Sequence, residues 1–320
     1  FKGAMAAADM LSTLLVTVFT AFVQIGVWVL TPVGVFLALR FHARVALPLL
    51  LVYMISYLDD AEINVANKVR TWPSFSKGFW LFTFFRRFYR QHVHVPVGFK
   101  ETQVILALHP HGCMADYRVI LDGQLIELIP SLAGKIRWLA ASVLFRLPIV
   151  RELTLWTGCV DARRSVAESV LQHGLSIGVL PGGEAEQLRT THGTESVYLR
   201  KRFGFVKLAI RFGVPLVPAY VFGCVDLYYT STACFALRTA LVRKLGVCVP
   251  VCYGTWGVPM APLPVPINVV IGQPLRVTRN PTPSDEEVAA VLEQYICALK
   301  ALFDANKATY GYAERELLIT

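Results

Sequence analysis

The sequence predicts an α/β protein in which a mixed sheet flanked by helices follows an apolar N-terminal segment. Beyond about residue 95, short apolar runs typical of buried strands alternate with helical patterns. Before residue 60 the chain is largely apolar, and this part contributes much of a mean hydropathy of +0.51 with 17% charged residues. We divide the chain into a membrane anchor (1–60), an interfacial linker (61–95) and one folded domain (96–320).

The N-terminal segment contains two apolar stretches separated by a short basic link. Residues 10–30 have the roughly 20 positions that a helix needs to cross a bilayer, whereas residues 45–58 are closer to the roughly 10–14 of a re-entrant segment. The positive-inside rule places the linking Arg40 and Arg44 on the same side as the basic residues after residue 60. We therefore expect a shallow hairpin that enters and leaves one leaflet. A hairpin buried in the protein core is the alternative.

Residues 79–90, in the predicted linker, combine many aromatic rings with three arginines. This composition is typical of a segment that lies in the membrane interface, because aromatic rings and arginines are enriched there. An aromatic helix packed in the protein core has the same composition. Both interpretations stay open at this point.

Apolar periodicity places the elements of the folded domain. The last helix, Asp285–Asn306, gives the clearest pattern, because Ser284 and Glu287 form a capping box and apolar residues recur at three- and four-residue spacing. Two further helices are predicted at residues 165–173 and 196–212. The predicted strands are residues 103–108, 176–180, 215–221 and 267–271.

The charge and cysteine content limit the partners of the chain. A net charge of +9 is carried by short basic clusters within apolar sequence, which favours an anionic lipid surface or the phosphates of a substrate. No nucleic-acid motif accompanies these clusters, so nucleic acid is not an expected partner. Seven cysteines form an odd set without a Cys-x-x-Cys pair, which argues against a disulfide framework or a zinc knuckle and favours a reducing compartment.

The tetrapeptide His109-Pro110-His111-Gly112 follows the first predicted strand and is the strongest candidate for chemistry. Pro110 and Gly112 turn the chain out of the strand. An imidazole held at the mouth of a buried strand titrates near neutral pH in a fixed position, which suits a general base. The alternative is a metal-dependent hydrolase, in which both imidazoles of a His-x-His pair bind zinc.

Other motifs follow this tetrapeptide in a fixed order. They are residues 180–188 (Leu-Pro-Gly-Gly-Glu-Ala-Glu-Gln-Leu), 202–209 (Arg-Phe-Gly-Phe-Val-Lys-Leu-Ala), 213–218 with Phe222-Gly223, and 269–274 (Val-Val-Ile-Gly-Gln-Pro). From about residue 72 to residue 311, the ordered set resembles the type 2 diacylglycerol acyltransferase family, which also holds monoacylglycerol and wax-ester-forming acyltransferases. Cys224 departs from the pattern, since the family usually has Glu after Phe-Gly.

The resemblance implies a glycerolipid-acyltransferase-like mixed sheet and an enzyme that transfers a fatty acyl group from acyl-coenzyme A to the free hydroxyl of diacylglycerol. Monoacylglycerol or a long-chain alcohol is the alternative acceptor. Acyl-coenzyme A is then a substrate, and no cofactor or metal is expected. The resemblance also implies the endoplasmic reticulum membrane or the lipid-droplet surface, with the catalytic domain in the cytosol. A homo-oligomer stays open, as does a non-catalytic membrane protein that binds lipid.

The same resemblance assigns catalytic roles within the motifs. His111 is the expected base, and His109 is expected to orient or bind. A carboxylate should hold the His111 imidazole, as the acid of a catalytic triad does. Two candidates compete for this role: Glu186, which aligns with a family glutamate, and Asp116, which has the His-x-x-x-x-Asp spacing of glycerolipid acyltransferases.

The expected substrate-binding residues are glycines, a proline and two cations. Backbone N–H groups of the turn Pro181-Gly182-Gly183 are expected to face phosphate or a developing oxyanion, and Gly112 is a further expected substrate-binding residue. A plain tight turn is the competing interpretation for residues 181–183. Arg202 and Lys207 are expected to bind the phosphates of coenzyme A.

Overall fold

The computed structural model describes residues 2–22, 27–65, 70–246 and 248–320. Its strands are β1 (His92–His94), β2 (Ile105–His109), β3 (Ile136–Ala140), β4 (Cys159–Asp161), β5 (Ser176–Val179), β6 (Ser196–Val197), β7 (Leu216–Phe222), β8 (Tyr229–Thr230), β9 (Cys252–Tyr253), β10 (Asn268–Ile271) and β11 (Leu318–Ile319). Its α-helices are α1 (Lys2–Ala21), α2 (Val27–Ile55), α3 (Pro73–Gly78), α4 (Trp80–Tyr89), α5 (Arg118–Leu128), α6 (Val150–Trp156), α7 (Arg164–Gln172), α8 (Gly183–Gln187), α9 (Gly204–Phe212), α10 (Phe235–Leu245) and α11 (Asp285–Asn306).

A seven-stranded mixed sheet organises the domain, in the spatial order β1-β10-β7-β2-β5-β3-β4. The five strands from β7 to β4 run parallel, and β10 runs antiparallel to β7. The predicted mixed α/β architecture is therefore confirmed. Because parallel strands end at the same edge, the loops that follow β2 and β5 lie side by side there.

Helices cover both faces of the sheet, and alternate residues of β2 point to opposite faces. Leu106 and Leu108 pack into the core that α4 and α5 cover. Ile105 and Ala107 pack into the opposite core, beneath α7, α9 and α11. His109 shares this second face with them, since it lies two positions beyond Ala107.

The structure does not show the predicted hairpin, because its link, residues 40–44, lies within α2, where two helical parts meet at a kink. The link contains no glycine or proline, and arginine and alanine are strong helix formers. The helix therefore continues, with a kink at His42, where φ is −135° and ψ is 35°. Residues 23–26 of the first predicted span lie outside the described residues. Among those described, one helical segment, Thr31–Asp59, is long and apolar enough to cross a membrane.

The first helix, α1, turns polar side chains inward and apolar side chains outward. Ser12, Thr17 and Thr20 are buried against the protein. Phe19 packs edge-on against Phe85 of α4, with ring centroids 5.5 Å apart. Large apolar side chains at four-residue spacing are exposed on the other side, namely Met10, Leu14, Val18 and Phe22. This face is suited to an apolar surrounding such as lipid.

The aromatic segment forms α4 and packs largely into the core. Leu81, Phe82, Phe85, Phe88 and Tyr89 are all buried there. The structure thus favours the core-helix interpretation for this part of the sequence, although Trp80 at its start is 61% exposed.

Most predicted elements of the domain are present. Each of the four predicted strands corresponds to an observed one, and α11 has the predicted bounds. The predicted helix at residues 196–212 is wrong at its start, because residues 196–197 form β6 and α9 begins at Gly204. The reason is a distant pairing, since Ser196 and Val197 align with Leu318 and Ile319 of β11.

Candidate active site

The loop that contains His111 leaves the carboxyl end of β2, at the edge of the sheet. Gly112 makes its turn possible, because its φ is +69° and a Cβ atom there would overlap the Cys224 Sγ atom. The Cys224 thiol is buried and also lies 3.7 Å from the Pro110 carbonyl oxygen. The loop is therefore packed tightly onto the segment that follows β7.

The His111 imidazole is held by the main chain of its own loop. Its Nδ1 atom lies 3.1 Å from the Gly112 carbonyl oxygen, which can only accept a hydrogen bond. We therefore assign the proton to Nδ1, which leaves a lone pair on Nε2. Burial lowers the pKa of His111 below its ordinary value, and the bond to Gly112 opposes this shift. The ring is thus neutral near pH 7, as a general base requires.

Glu186 anchors the His111 loop through the backbone and not through the ring. Its carboxylate accepts the His111 backbone N–H on Oε1 and the Tyr198 backbone N–H on Oε2, the latter at 2.7 Å. The side chain is buried, and this burial raises its pKa to about 7 against the two hydrogen bonds. Gly182 leaves room for the carboxylate, since a Cβ atom there would overlap Oε2.

Asp116 has a different partner. Its Oδ2 atom accepts a hydrogen bond from the Tyr228 hydroxyl, and both residues are buried. Burial raises the pKa of Asp116 to about 6. Within the parts of the chain that the structure describes, no hydrogen bond joins the His111 ring to Asp116 or to Glu186. In this structure the partner of the ring at Nδ1 is the Gly112 carbonyl oxygen.

His109 ties the end of β2 to α11. Its Nε2 atom lies 3.0 Å from the Tyr295 hydroxyl, which in turn lies 3.3 Å from the Ala107 carbonyl oxygen. The imidazole is fully buried, and burial lowers its pKa to about 3. His109 therefore stays neutral and fixes the strand end, while His111 faces its own loop.

The glycine turn after β5 is a hydrogen-bonded tight turn. The Gly183 N–H donates to the Leu180 carbonyl oxygen at 3.0 Å, so this N–H is already engaged. Arg202 donates to the Gly182 carbonyl oxygen at 2.8 Å, and its guanidinium lies 5.1 Å from the centre of the Tyr198 ring. The structure favours the tight-turn interpretation, and Pro181 lies half-buried at its start.

The predicted residues thus fall into two groups. His111, Gly112, Gly182, Gly183, Glu186 and Arg202 meet at the edge of the sheet. Lys207 lies apart from them on α9, where it is 40% exposed and its Nζ atom lies 3.8 Å from the Asp285 carboxylate. Arg202 therefore contacts the glycine turn, whereas Lys207 pairs with Asp285.

An ion network with two buried carboxylates lies behind the site and was not apparent from the sequence. Arg315 donates to both Asp226 oxygens at 2.9 and 3.0 Å and to Glu195 at 2.9 Å. Tyr220 donates to the other Glu195 oxygen at 2.6 Å. The network joins the C-terminal segment to two others, one following Cys224 and the other preceding Tyr198. Both flank the His111 loop and its anchor.

The two imidazoles of the His-x-His pair bind different elements. His109 contacts α11, and His111 contacts its own loop. Across residues 2–22, 27–65, 70–246 and 248–320, no group of three or more His, Cys, Asp or Glu side chains has the arrangement of a metal site.

Comparison with known proteins gives one family match. Residues 39–320 match the family model of diacylglycerol acyltransferase. Diacylglycerol O-acyltransferase 2-like protein 6 of Mus musculus is 33% identical over 240 residues, which cover 67% of this chain and 69% of that protein. Acyl-CoA wax alcohol acyltransferase 2 of Homo sapiens is 33% identical over 232 residues, 67% of this chain and 68% of that protein.

Two further likenesses are more distant. Diacylglycerol O-acyltransferase 2 of Bos taurus is 30% identical over 235 residues, 67% of this chain and 63% of that protein. The crystal structure of the 1-acyl-sn-glycerophosphate acyltransferase PlsC of Thermotoga maritima covers 93% of this chain and 98% of its own, with a TM-score of 0.45 and 16% identity.

Proposed function

The chain belongs to the type 2 diacylglycerol acyltransferase family, and from this premise we propose that it transfers a fatty acyl group from acyl-coenzyme A to the free hydroxyl of diacylglycerol, with His111 as the general base. The product is triacylglycerol, and acyl-coenzyme A is a substrate. The observation that carries the proposal is the His111 loop, where a neutral imidazole with a free Nε2 atom is fixed at the edge of the sheet by Gly112 and Glu186.

The proposed reaction is a direct acyl transfer. The acceptor oxygen forms a bond to the thioester carbonyl carbon while its proton passes to His111 Nε2. The tetrahedral intermediate then collapses and the carbon–sulfur bond breaks. The proton then passes from His111 to the departing coenzyme A sulfur, and His111 is again neutral at the end of the turnover.

The role of Glu186 in this scheme is to hold the loop. Its carboxylate accepts the backbone N–H of His111 itself, so a displacement of Glu186 moves the base directly. When a reacting group is displaced by about 1 Å, the rate of the catalysed step can fall by about 100-fold. Glu186 is therefore a positioning residue. His109 and Asp116 support the same region through Tyr295 and Tyr228.

A long-chain alcohol is the second candidate acceptor. The human relative at 33% identity carries wax alcohol acyltransferase in its name, while the bovine diacylglycerol enzyme is 30% identical. Both acceptors offer a primary or secondary hydroxyl on an apolar molecule. The choice between them depends on pocket shape, which a local motif does not report.

We propose that the enzyme acts at the endoplasmic reticulum membrane or lipid-droplet surface, with the catalytic domain in the cytosol. The exposed apolar faces of α1 and of the segment Thr31–Asp59 support attachment to lipid. An acceptor dissolved in the bilayer then reaches the site from the membrane side. The net charge of +9 supports contact with an anionic surface.

A competition between acceptors tests the proposal. Membranes that contain the full chain receive labelled acyl-coenzyme A with diacylglycerol, monoacylglycerol and a C16 alcohol, separately and together. We expect triacylglycerol as the main product and its loss in His111→Ala. His173→Ala is the matched control, because His173 is exposed at the end of α7, and it should retain wild-type activity.

Three outcomes would overturn separate parts of the proposal. Wax ester as the main product would replace the acceptor and leave the acyl transfer intact. Full activity in His111→Ala would remove the general-base assignment. A wild-type chain that is folded but transfers no acyl group to any acceptor would support the lipid-binding alternative.

A further inference from the structure

A buried arginine joins the end of the apolar N-terminal segment to the folded domain. Arg151, in α6, has a fully buried side chain, and its guanidinium donates to Asp59 at 2.8 Å and to Glu62 at 3.1 Å. A third carboxylate, that of Glu152, lies 3.5 Å away, and the Tyr57 ring centre lies at 4.5 Å. A planar guanidinium with its fork of N–H donors can hold several acceptors in one fixed arrangement.

Glu152 makes a second connection, which reaches further into the apolar segment Thr31–Asp59. The Tyr53 hydroxyl donates to its Oε2 atom at 2.5 Å. We refer to the five residues Tyr53, Asp59, Glu62, Arg151 and Glu152 as the Arg151 cluster. The cluster thus ties the candidate membrane segment to α6 at two positions, Tyr53 and Asp59.

The turn before α6 has a strained backbone that the cluster holds in place. Ile149 has a φ of +70° and a ψ of −48°, a conformation that β-branched residues rarely adopt. Its N–H lies 3.2 Å from the Tyr53 hydroxyl oxygen and 3.2 Å from the Glu152 carboxylate. Strained backbone persists where the surrounding contacts fix it.

The cluster lies at the edge of the sheet that also carries the His111 loop. The strands β2, β5, β3 and β4 are parallel neighbours in this order, so their carboxyl ends share one edge. The Asp161 N–H, at the end of β4, donates to the Glu62 carbonyl oxygen at 2.9 Å. At about 4.8 Å between neighbouring strands, the ends of β4 and β2 are roughly 14 Å apart.

Large apolar side chains around the cluster are exposed. Ile55 and Leu58 are 62% and 76% exposed, and Ile149 is 51% exposed. An exposed group of this kind is suited to an apolar surrounding such as lipid. The cluster therefore fixes an apolar rim and the catalytic edge of the sheet in one arrangement.

We propose that the Arg151 cluster holds the catalytic edge of the sheet at the bilayer surface, so that the acceptor reaches His111 directly from the membrane. This inference rests on the proposed acyl transfer and deepens it, because it assigns Arg151 as a positioning residue for acceptors dissolved in lipid. Without the cluster, α2 is a loose tether, and the site meets the membrane acceptor at a lower effective concentration.

The test compares two acceptors that offer the same hydroxyl from different phases. The full chain in phosphatidylcholine vesicles receives labelled acyl-coenzyme A with dioleoylglycerol, which dissolves in the bilayer, or with dibutyrylglycerol, which dissolves in water. Arg151→Met should raise KM for dioleoylglycerol by roughly tenfold or more, because misplacement of a site by about 1 Å already has large effects. The values for dibutyrylglycerol should change less than about twofold, since this acceptor reaches the site from any side.

Further variants separate positioning from folding. Tyr53→Phe removes one hydroxyl and no charge, so it weakens the tie at little risk to the fold, and it should raise KM for dioleoylglycerol about threefold. Arg151→Lys keeps the charge without the planar fork and should restore part of the loss. Arg163→Met is the matched control, because Arg163 is 56% exposed and pairs with Asp161 alone at the end of β4. It should leave both KM values unchanged.

Tryptophan fluorescence measures the position of the edge without any turnover. Trp72 is attached to α6, since its N–H donates to the Trp156 carbonyl oxygen at 2.9 Å, and it is 50% exposed. Its emission is obtained as the difference between the wild type and Trp72→Phe, in vesicles of lipid brominated on the acyl chains. We expect quenching in the wild type and less than half of this quenching in Arg151→Met.

The outcomes distinguish the cluster from the reaction. If Arg151→Met and Tyr53→Phe raise KM for both acceptors by the same factor, or lower only the thermal midpoint, the cluster supports the fold alone and the inference is wrong. Equal quenching of Trp72 in the wild type and in Arg151→Met would also overturn it. If the wild type turns over no acceptor, the proposed function fails, and the quenching still decides whether the cluster holds the edge at the bilayer.

Discussion

Replacing Glu186 by glutamine tests whether the carboxylate acts as an anchor for the His111 loop. The carboxylate accepts two backbone N–H groups, whereas an amide offers one acceptor oxygen and turns an NH2 group toward the other donor. One buried N–H is then unpartnered, and the remaining bond is no longer charge-assisted. Together these losses amount to about 2–4 kcal/mol. If this free energy is lost from the positioning of His111, the rate falls about thirty-fold to several hundred-fold.

The assay is transfer of labelled acyl groups at pH 8, where the carboxylate form predominates because the pKa of Glu186 is about 7. The thermal midpoint of the purified chain is measured in parallel and should fall with the rate. Glu184→Gln, in the same short helix α8, is the matched control and should change neither quantity. A Glu186→Gln enzyme with the wild-type rate and thermal midpoint would refute the anchor role.

Three further predictions follow from the same geometry. Protonation of Glu186 removes one acceptor for a backbone N–H, so activity should fall as the pH decreases through about 7. The effect on stability runs in the opposite direction. Because folding raises the pKa of Glu186 from 4.5 to about 7, this group contributes to the stability of the fold below about pH 4.5, and the contribution is lost as the pH rises through about 7. Arg315→Met leaves the buried Glu195 carboxylate without its cation and should destabilise the fold by about 2–3 kcal/mol, a value reduced because the arginine is 30% exposed. Gly112→Ala places a Cβ atom onto the buried Cys224 Sγ atom at a φ of +69°, and it should abolish most transfer and lower the thermal midpoint.

Each of these predictions has a matched control within the chain. Glu186→Gln should lose the fall in activity near pH 7, because the amide does not titrate there. Arg276→Met removes an exposed arginine, 78% accessible, that pairs with a single carboxylate, and should leave the thermal midpoint nearly unchanged. Gly134→Ala adds a Cβ at the same φ of +69° in open space. An equal decrease of the thermal midpoint in Gly112→Ala and Gly134→Ala would show that backbone strain, and not the overlap with Cys224, is responsible.

Local sequence signals located most of the sheet and the last helix. The strands β2, β5, β7 and β10 coincide with contiguous apolar runs, and such runs can be recognised without information from elsewhere in the chain. The helix α11 begins where Ser284 caps it, with the Glu287 N–H donating to the serine hydroxyl at 3.2 Å. The His111 loop and the glycine turn were identified because each follows a predicted strand.

Distant contacts explain what sequence analysis missed or misassigned. The second partner of Glu186 is the backbone of Tyr198, which follows a two-residue strand that exists only through pairing with β11. The strands β1, β3 and β4 are three to five residues long and carry polar or charged side chains, so they gave no clear apolar run. The Arg315 network joins segments that are 89 and 120 positions apart, which no periodicity reports.

The predicted N-terminal hairpin is a separate case, because the structure does not show it. Arg40 and Arg44 indicate a topological preference, and in the structure the link between them lies within α2, with non-helical dihedral angles at His42. Charge specifies which side of a membrane a loop prefers, and it does not specify that a loop is present. Pro32 and Pro48 also lie within α2, so proline did not mark its ends.

The pairing of β6 with β11 has a consequence for how the enzyme matures. Thr320 bonds to Val197, 123 positions earlier in the chain, and the neighbouring strand fixes the backbone beside Glu186. During synthesis the amino-terminal parts of a domain emerge and collapse first. A nascent chain with the His111 loop in place lacks this backbone support until residues near 320 leave the ribosome. We therefore expect chains truncated before β11 to leave the Tyr198 backbone unfixed beside Glu186 and to transfer acyl groups poorly.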